Sequence, residues 1–294
     1  MKRFKVAAVQ LEIPWGQPRK LLVQCQEYLE LASRKGCHLV ALPPLTWLGL
    51  MEEEELKVTA QGFQGKVALL ERLEDKYEEI FSELAREFSM YLVAGTVPVM
   101  REGGVFHLAV LYGPEGKQIL GQMQTHLSRE EEELGFNRGV ELETAETEIG
   151  RIGLVVGTDV WYPEVSRILT LQGAELLVAL TAVAEPYNPW VQLAGMWQEV
   201  QQNQVFAVES PFTGRWRDCR YAGCATIYAP CEITEGEQGF LAKSDKPTGS
   251  QLVVGELAWE KLKQIRESYP IYRHFNRRLY KRELAAVYGE GDGC

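Results

Sequence analysis

The side chains of this 294-residue sequence that could do chemistry gather in a few short stretches. Thr158 and Asp159 follow Arg151-Ile152-Gly153-Leu154-Val155-Val156-Gly157, where an apolar strand should give way to a turn. His126 comes directly after Gln124-Thr125 and leads into a carboxylate block, Glu130-Glu131-Glu132-Glu133. Hydroxyl, carboxylate and imidazole are parts of an acyl-transfer site. Such a site needs a nucleophile, a group that takes and returns its proton, and a charge that stabilises the tetrahedral oxyanion. Each residue also has a plainer reading. Thr158 without an adjacent base is inert at neutral pH, and Asp159 suits a turn or helix-start acceptor. His126 suits a hydrogen-bonded structural histidine. A run of like charges is an ordinary solvated face, and Gly157 alone is a turn residue free to adopt positive φ.

The cysteines Cys25, Cys37, Cys219, Cys224, Cys231 and Cys294 lack Cys-x-x-Cys spacing or a nearby histidine pair, so no zinc or other metal site is expected. Cys25 falls on the apolar face of a helix, Cys37 precedes a strand and Cys224 lies on another, all consistent with small buried hydrophobes. No cofactor motif is present. At 46% apolar the chain can bury a large core. A net charge of −10 disfavours nucleic acid and anionic membranes and leaves a small neutral or polar ligand, or a protein partner. Neither a signal peptide nor a spanning helix is expected, and reduced thiols suit the cytoplasm.

The elements that must position these residues alternate strand with helix. Phe4 to Gln10 predicts a strand. Pro18 to Lys35 then carries Leu21, Leu22, Cys25, Leu29 and Ala32 at helical spacing, closed by Gly36. His38 to Leu42 is the next strand. A longer helix over Lys66 to Met90 precedes the strand Tyr91 to Val97. Phe106 to Tyr112 and Lys117 to Met123 form a hairpin across Gly113-Pro114-Glu115-Gly116. Strands at Ile152 to Val156 and Leu176 to Leu180 bracket a short helix between Pro163 and Gly173. Asn188-Pro189 caps a helix with Leu193, Met196, Trp197 and Val200 on one face. Val205 to Val208, Ala225 to Tyr228 and Gln251 to Glu256 supply later strands. Hairpins mixed with βα units argue for a layered α/β sheet structure with helices outside. A single domain over 1–288 is expected, with loose segments at Thr234 to Ser250 and 289–294.

Several landmarks resemble the nitrilase, or carbon-nitrogen hydrolase, superfamily. Leu39-Val40-Ala41-Leu42-Pro43-Pro44-Leu45 is similar to the family strand that ends in Pro-Glu, with the general base falling at Pro44. Gln122-Met123-Gln124-Thr125-His126-Leu127 is similar to the segment in which a lysine precedes x-His-Leu, and that lysine falls at Gln124. Asp159-Val160-Trp161-Tyr162-Pro163-Glu164 resembles Asp-x-x-Phe-Pro-Glu, and the catalytic cysteine falls two residues earlier, at Gly157. The family's second glutamate falls at Glu131 or Glu132. Trp197 to Val205, Tyr221 to Pro230 and Ile265 to Pro270 extend the resemblance along nearly the whole chain, with Gln202 and Ala225 departing from the family pattern.

The resemblance implies a four-layer αββα sandwich of mixed sheets with helices on the outer faces, often paired into a homodimer. It places Pro44, Gln124 and Gly157 where the family has its base, cation and nucleophile. Proline cannot titrate, the Gln124 amide can donate a hydrogen bond but carries no charge, and glycine cannot attack a carbonyl. The expected function is therefore a homologue silent in thiol-based amide or nitrile hydrolysis that binds a small molecule or a partner protein. Glu131, Glu132, Thr158, Asp159, Trp161 and Tyr162 are the candidate ligand contacts, with Trp47 and Trp190 as further walls. A carboxylate without its lysine partner could pair with a ligand cation. The alternatives are an amidohydrolase acting on a small amide or N-carbamoyl compound through a rebuilt site, and a structural subunit of an assembly.

Overall fold

The computed structural model describes residues 3–288; the expected loose tail, 289–294, lies outside the described residues. Its strands follow one hydrogen-bonded path that is narrow at the middle. The first half runs Gln118–Met123, Gly104–Tyr112, Tyr91–Arg101, Cys37–Ala41 and Arg3–Glu12. The second half runs Phe206–Trp216, Leu176–Thr181, Gly150–Val156 and Thr144–Thr147. Among the described residues, only Leu11↔Phe212 and Glu12↔Thr213 join the halves. Two sheets therefore fold face to face, nearly closing a barrel.

The period-2 alternation of strand side chains fixes the layers. Ala8, Leu39, Val93, Leu154, Val178 and Val208 meet in the cluster between the sheets. Their neighbours Val9, Val40 and Leu92 point the other way, onto Leu21, Cys25 and Leu29 of helix Pro18–Arg34 and Leu70, Leu73 and Phe81 of helix Val67–Glu87. Val155, Leu177 and Ala207 point away from the centre on the second sheet and pack on Leu169, Met196 and Val200. Helix, sheet, sheet, helix is the order of layers. No helix among the described residues is long and apolar enough to cross a membrane.

Some elements differ from the sequence reading. The helix after Asn188 is broken: Asn188 Oδ1 accepts from Trp190 N at 3.0 Å, but Gly195 has non-helical torsions and separates Pro189–Gln192 from Gln198–Asn203. Glycine permits that interruption at little steric cost. The stretch expected to be loose after Thr234 contains a strand, Phe240–Lys243, which pairs with Thr226–Tyr228. Short helices at Trp47–Leu50 and Glu53–Thr59 are too brief to show a periodic apolar stripe, and a longer helix at Arg277–Tyr288 was not expected from the sequence.

Candidate active site

Three strand ends converge on the residues singled out by the sequence. Strand Cys37–Ala41 runs into Pro43-Pro44-Leu45, where Leu45 adopts φ +64° and donates its N–H to Thr96 Oγ1 at 2.8 Å. The close approach of this turn requires Gly95, because a Cβ there would lie 2.2 Å from Pro43 O. Strand Gln118–Met123 delivers Gln124, and strand Gly150–Val156 delivers Gly157 at φ +58°. Left-handed backbone is costly for residues with a Cβ, and glycine accepts it.

Pro44, Gly157 and Thr158 border a cavity of about 300 Å³, with Glu131, His107 and Trp47 on its other walls. Gln124 is fully buried behind that wall. Its Nε2 lies 2.8 Å from His126 O, 2.9 Å from Glu131 Oε2 and 3.0 Å from Thr158 Oγ1, and its Oε1 lies 3.0 Å from His107 Nδ1. A Cβ built on Gly157 would sit 2.8 Å from Gln124 Nε2. The amide thus presses against the place where a side chain at 157 would begin. Thr158 Oγ1 in turn donates to His126 O.

His107 was not singled out by the sequence reading. The signal was a lone imidazole inside the otherwise apolar strand Gly104–Tyr112. It is 3% exposed, with Nε2 2.6 Å from Thr96 Oγ1. Because Thr96 Oγ1 already accepts from Leu45 N, its own proton is free for His107 Nε2, an arrangement that assigns the ring proton to Nδ1, facing Gln124 Oε1.

Of the two candidate glutamates, the fold brings Glu131 to the cavity. Ser128 caps helix Arg129–Glu133: its Oγ accepts from Glu131 N at 3.3 Å, and Glu131 Oε2 accepts from Ser128 N at 2.7 Å. This Ser-x-x-Glu capping box was present in the sequence but masked by the charge run. Glu131 Oε1 makes no hydrogen bond to the protein and lies 3.7 Å from His107 Nδ1. Burial pushes the Glu131 carboxyl up, but His107 and the Ser128 hydrogen bonds more than offset this and hold it below the ordinary carboxylate range. Glu132 instead turns to solvent and pairs with Arg138 at 2.7 Å. Glu130, also at the cavity, accepts from Tyr221 Oη at 3.0 Å and pairs with Arg217 at 3.4 Å.

The other candidate contacts diverge from the cavity because the chain leaves the strand through a 3-10 turn, Gly157–Trp161. Asp159, 1% exposed, points back to the segment after Gln124. Its Oδ1 accepts from Thr125 Oγ1 at 2.8 Å, His126 N at 2.7 Å and His126 Nδ1 at 2.9 Å, and its Oδ2 accepts from Thr125 N at 3.0 Å. Burial raises its carboxyl, and these bonds pull partly back. Asp159 is thus a clamp on the scaffold and not a cavity contact. Trp161 donates to Val191 O at 3.3 Å, and Tyr162 stacks on His126 with ring centroids 3.7 Å apart; both face away from the cavity. Trp190 is 74% exposed and borders a separate shallow depression.

A larger groove, about 760 Å³, lies beyond Trp216 and is lined by solvated side chains such as Glu12, Lys20 and Lys57. The landmark positions Pro44 and Gly157 face the smaller cavity and not this groove. No cysteine or lysine lines that cavity among the described residues. Cys25 is fully buried in the core, where loss of solvation pushes its thiol up to about 12, and Cys37 is likewise raised, to about 11. Such thiols are not nucleophiles at neutral pH.

A family model described as carbon-nitrogen hydrolase matches residues 5–233. Among relatives, omega-amidase NIT2 of Homo sapiens is 24% identical over 97% of this chain and 99% of its own length. A nitrilase of Pyrococcus abyssi is 27% identical over 77% of this chain and 81% of its own. A solved carbon-nitrogen hydrolase from Helicobacter pylori G27 superposes with a TM-score of 0.79 at 22% identity, covering 96% of this chain and 99% of that one. An amidase from Nesterenkonia sp. AN1, with acrylamide added to its active-site cysteine, superposes with a TM-score of 0.71 at 19% identity, covering 90% and 97%.

Proposed function

The chain belongs to the carbon-nitrogen hydrolase family, and from that premise we propose that it is a member silent in thiol-based hydrolysis of amides and nitriles, its cavity used to bind a small molecule. The observation that carries this reading is the wall of the cavity. It presents Pro44, Gly157 and the Gln124 network where a base, a nucleophile and a cation are needed. Without a thiolate there is no acyl-enzyme, and without a lysine no ionic donor awaits the oxyanion. Loss of one oxyanion donor alone typically costs about 10²–10³ in kcat. Thr158 does not replace the nucleophile, since its hydroxyl proton is committed to His126 O and no base adjoins it.

Binding remains chemically reasonable, because the cavity combines apolar walls with a few fixed polar groups. Thermal-shift screening with carboxylates, amides and ureides, together with mass spectrometry of molecules that co-purify, tests the reading. A saturable ligand whose effect is lost in Glu131→Gln supports it. Silence across the panel, with nothing co-purifying, counts against it. Turnover of short amides, N-carbamoyl compounds or nitriles by the purified chain would favour the rebuilt-site alternative.

A homodimer is proposed as well, through the outer helices. Ile168 and Leu171 of helix Pro163–Leu171 are 42% and 56% exposed, and Tyr288 at the end of helix Arg277–Tyr288 donates to Glu164 Oε1 at 2.8 Å. The adjoining Leu284 and Val287 are exposed too, so the pair of helices offers one apolar face. Light scattering on the purified chain should give twice the 33.3 kDa chain mass, and an Ile168→Glu/Leu171→Glu variant should give the monomer.

A further inference from the structure

The charge balance of the inner cavity points to the kind of ligand it holds. Glu131 brings a carboxylate to the wall with Oε1 unused by any protein hydrogen bond, since Oε2 alone accepts from Ser128 N and Gln124 Nε2. Its neighbours are the Gln124 amide, which bonds Oε2, and the His107 ring, whose Nδ1 lies 3.7 Å from Oε1. Glu130 is already engaged by Arg217 and Tyr221. Arg129, the cation on the rim, is 92% exposed in its side chain and paired with Glu133 at 3.0 Å. The facing surfaces are aromatic: Trp47, Phe136 and Trp216.

We propose that the cavity takes a small organic cation bearing a primary ammonium group, its head on Glu131 Oε1 and its apolar body among Trp47, Phe136 and Trp216. This rests on the reading of the cavity as a ligand site and adds the class of ligand. A largely desolvated carboxylate with a free oxygen makes its strongest bond to a charged donor, shorter and roughly twice as strong as a neutral one. Aromatic faces add cation–π attraction that neutral molecules of the same shape do not feel. A lysine at position 124 would occupy the same carboxylate and repel the ligand, so the loss of that cation selects for ammonium.

Titration of the intact protein with benzylammonium, benzamide and benzyl alcohol, by calorimetry and ligand-observed NMR, separates charge from shape. Benzylammonium is expected to bind at least tenfold tighter than either neutral compound, and to weaken steadily as salt is raised. Glu131→Gln should erase the preference while leaving the fold intact, because glutamine can still close the capping box to Ser128. Gln124→Lys should abolish ammonium binding. If benzamide or benzyl alcohol binds as tightly as benzylammonium, the cation assignment falls while the binding reading stands. A preference unchanged in Glu131→Gln also overturns the assignment. If none of the compounds binds, the cation assignment falls, and the binding reading is left to the broader panel and the co-purified molecules.

Discussion

Two regions lie side by side at the ends of the same strands and have opposite characters. In one, Asp159 clamps Thr125 and His126 through side-chain and backbone bonds, all within the protein. In the other, Gln124, Gly157 and Pro44 stand where the family resemblance puts chemistry, and the Gln124 amide fills the approach to position 157. The clamp ties the end of strand Gln118–Met123 to the turn that follows strand Gly150–Val156. In the neighbouring core Pro44 and Gly157 bring no ionisable group, and the Gln124 amide bridges His107, Thr158 and the Glu131 carboxylate. Gln124 has partners for both amide atoms, which supports the proposed reading of a refitted, silent core rather than a damaged one.

Breaking the clamp should have the largest effect. Asp159→Ala leaves the Thr125 and His126 N–H groups buried without their acceptor and is expected to cost about 3–5 kcal/mol, measured by urea unfolding. In the refitted core, Gln124→Lys buries an ammonium beside Glu131 but deprives His107 of its partner. A net loss of about 1–3 kcal/mol is expected by the same measurement. Gly157→Ala meets both positive φ and the Gln124 amide, and should cost about 1–2 kcal/mol. The double variant Gln124→Ala/Gly157→Ala should be less destabilised than the two single costs summed, because removing the amide frees the space for the new methyl. A double-mutant cycle showing strict additivity would break the idea that these positions were refitted together.

Outside both regions, Glu199 offers the smallest effect and a control on pH. Burial pushes its carboxyl up to about 7, with Asn203 and Arg167 pulling partly back. The folded form therefore keeps a proton that the unfolded chain releases near the ordinary glutamate value. Its contribution to stability is full below that value and is lost as pH rises to about 7. Glu199→Gln should flatten the stability profile in this window by on the order of 1 kcal/mol, without moving ligand binding.

The fold was largely legible because strand alternation is a local signal. Pro44, Gly157 and Thr158 could be placed at one cavity because each follows the end of a buried strand within three residues. What sequence could not supply was direction. Within Gly157–Trp161 a 3-10 turn sends Thr158 to the cavity, Asp159 back into the scaffold and Trp161 outward. Choosing Glu131 over Glu132 depended on the Ser128 cap, a signal hidden within a run of like charges. His107 was missed because its role arises from Thr96, Gln124 and Glu131, which meet it only in the folded chain.

The most direct measurement is turnover by the unaltered protein, purified to homogeneity and incubated at high concentration with short amides, omega-amides, N-carbamoyl compounds and nitriles, with ammonia release followed over hours. Rates indistinguishable from buffer, in a sample whose folding is verified by its melt, are expected. Ammonia release that disappears in Glu131→Gln or Thr158→Val would contradict the silent reading and identify the refitted core as a working hydrolase site.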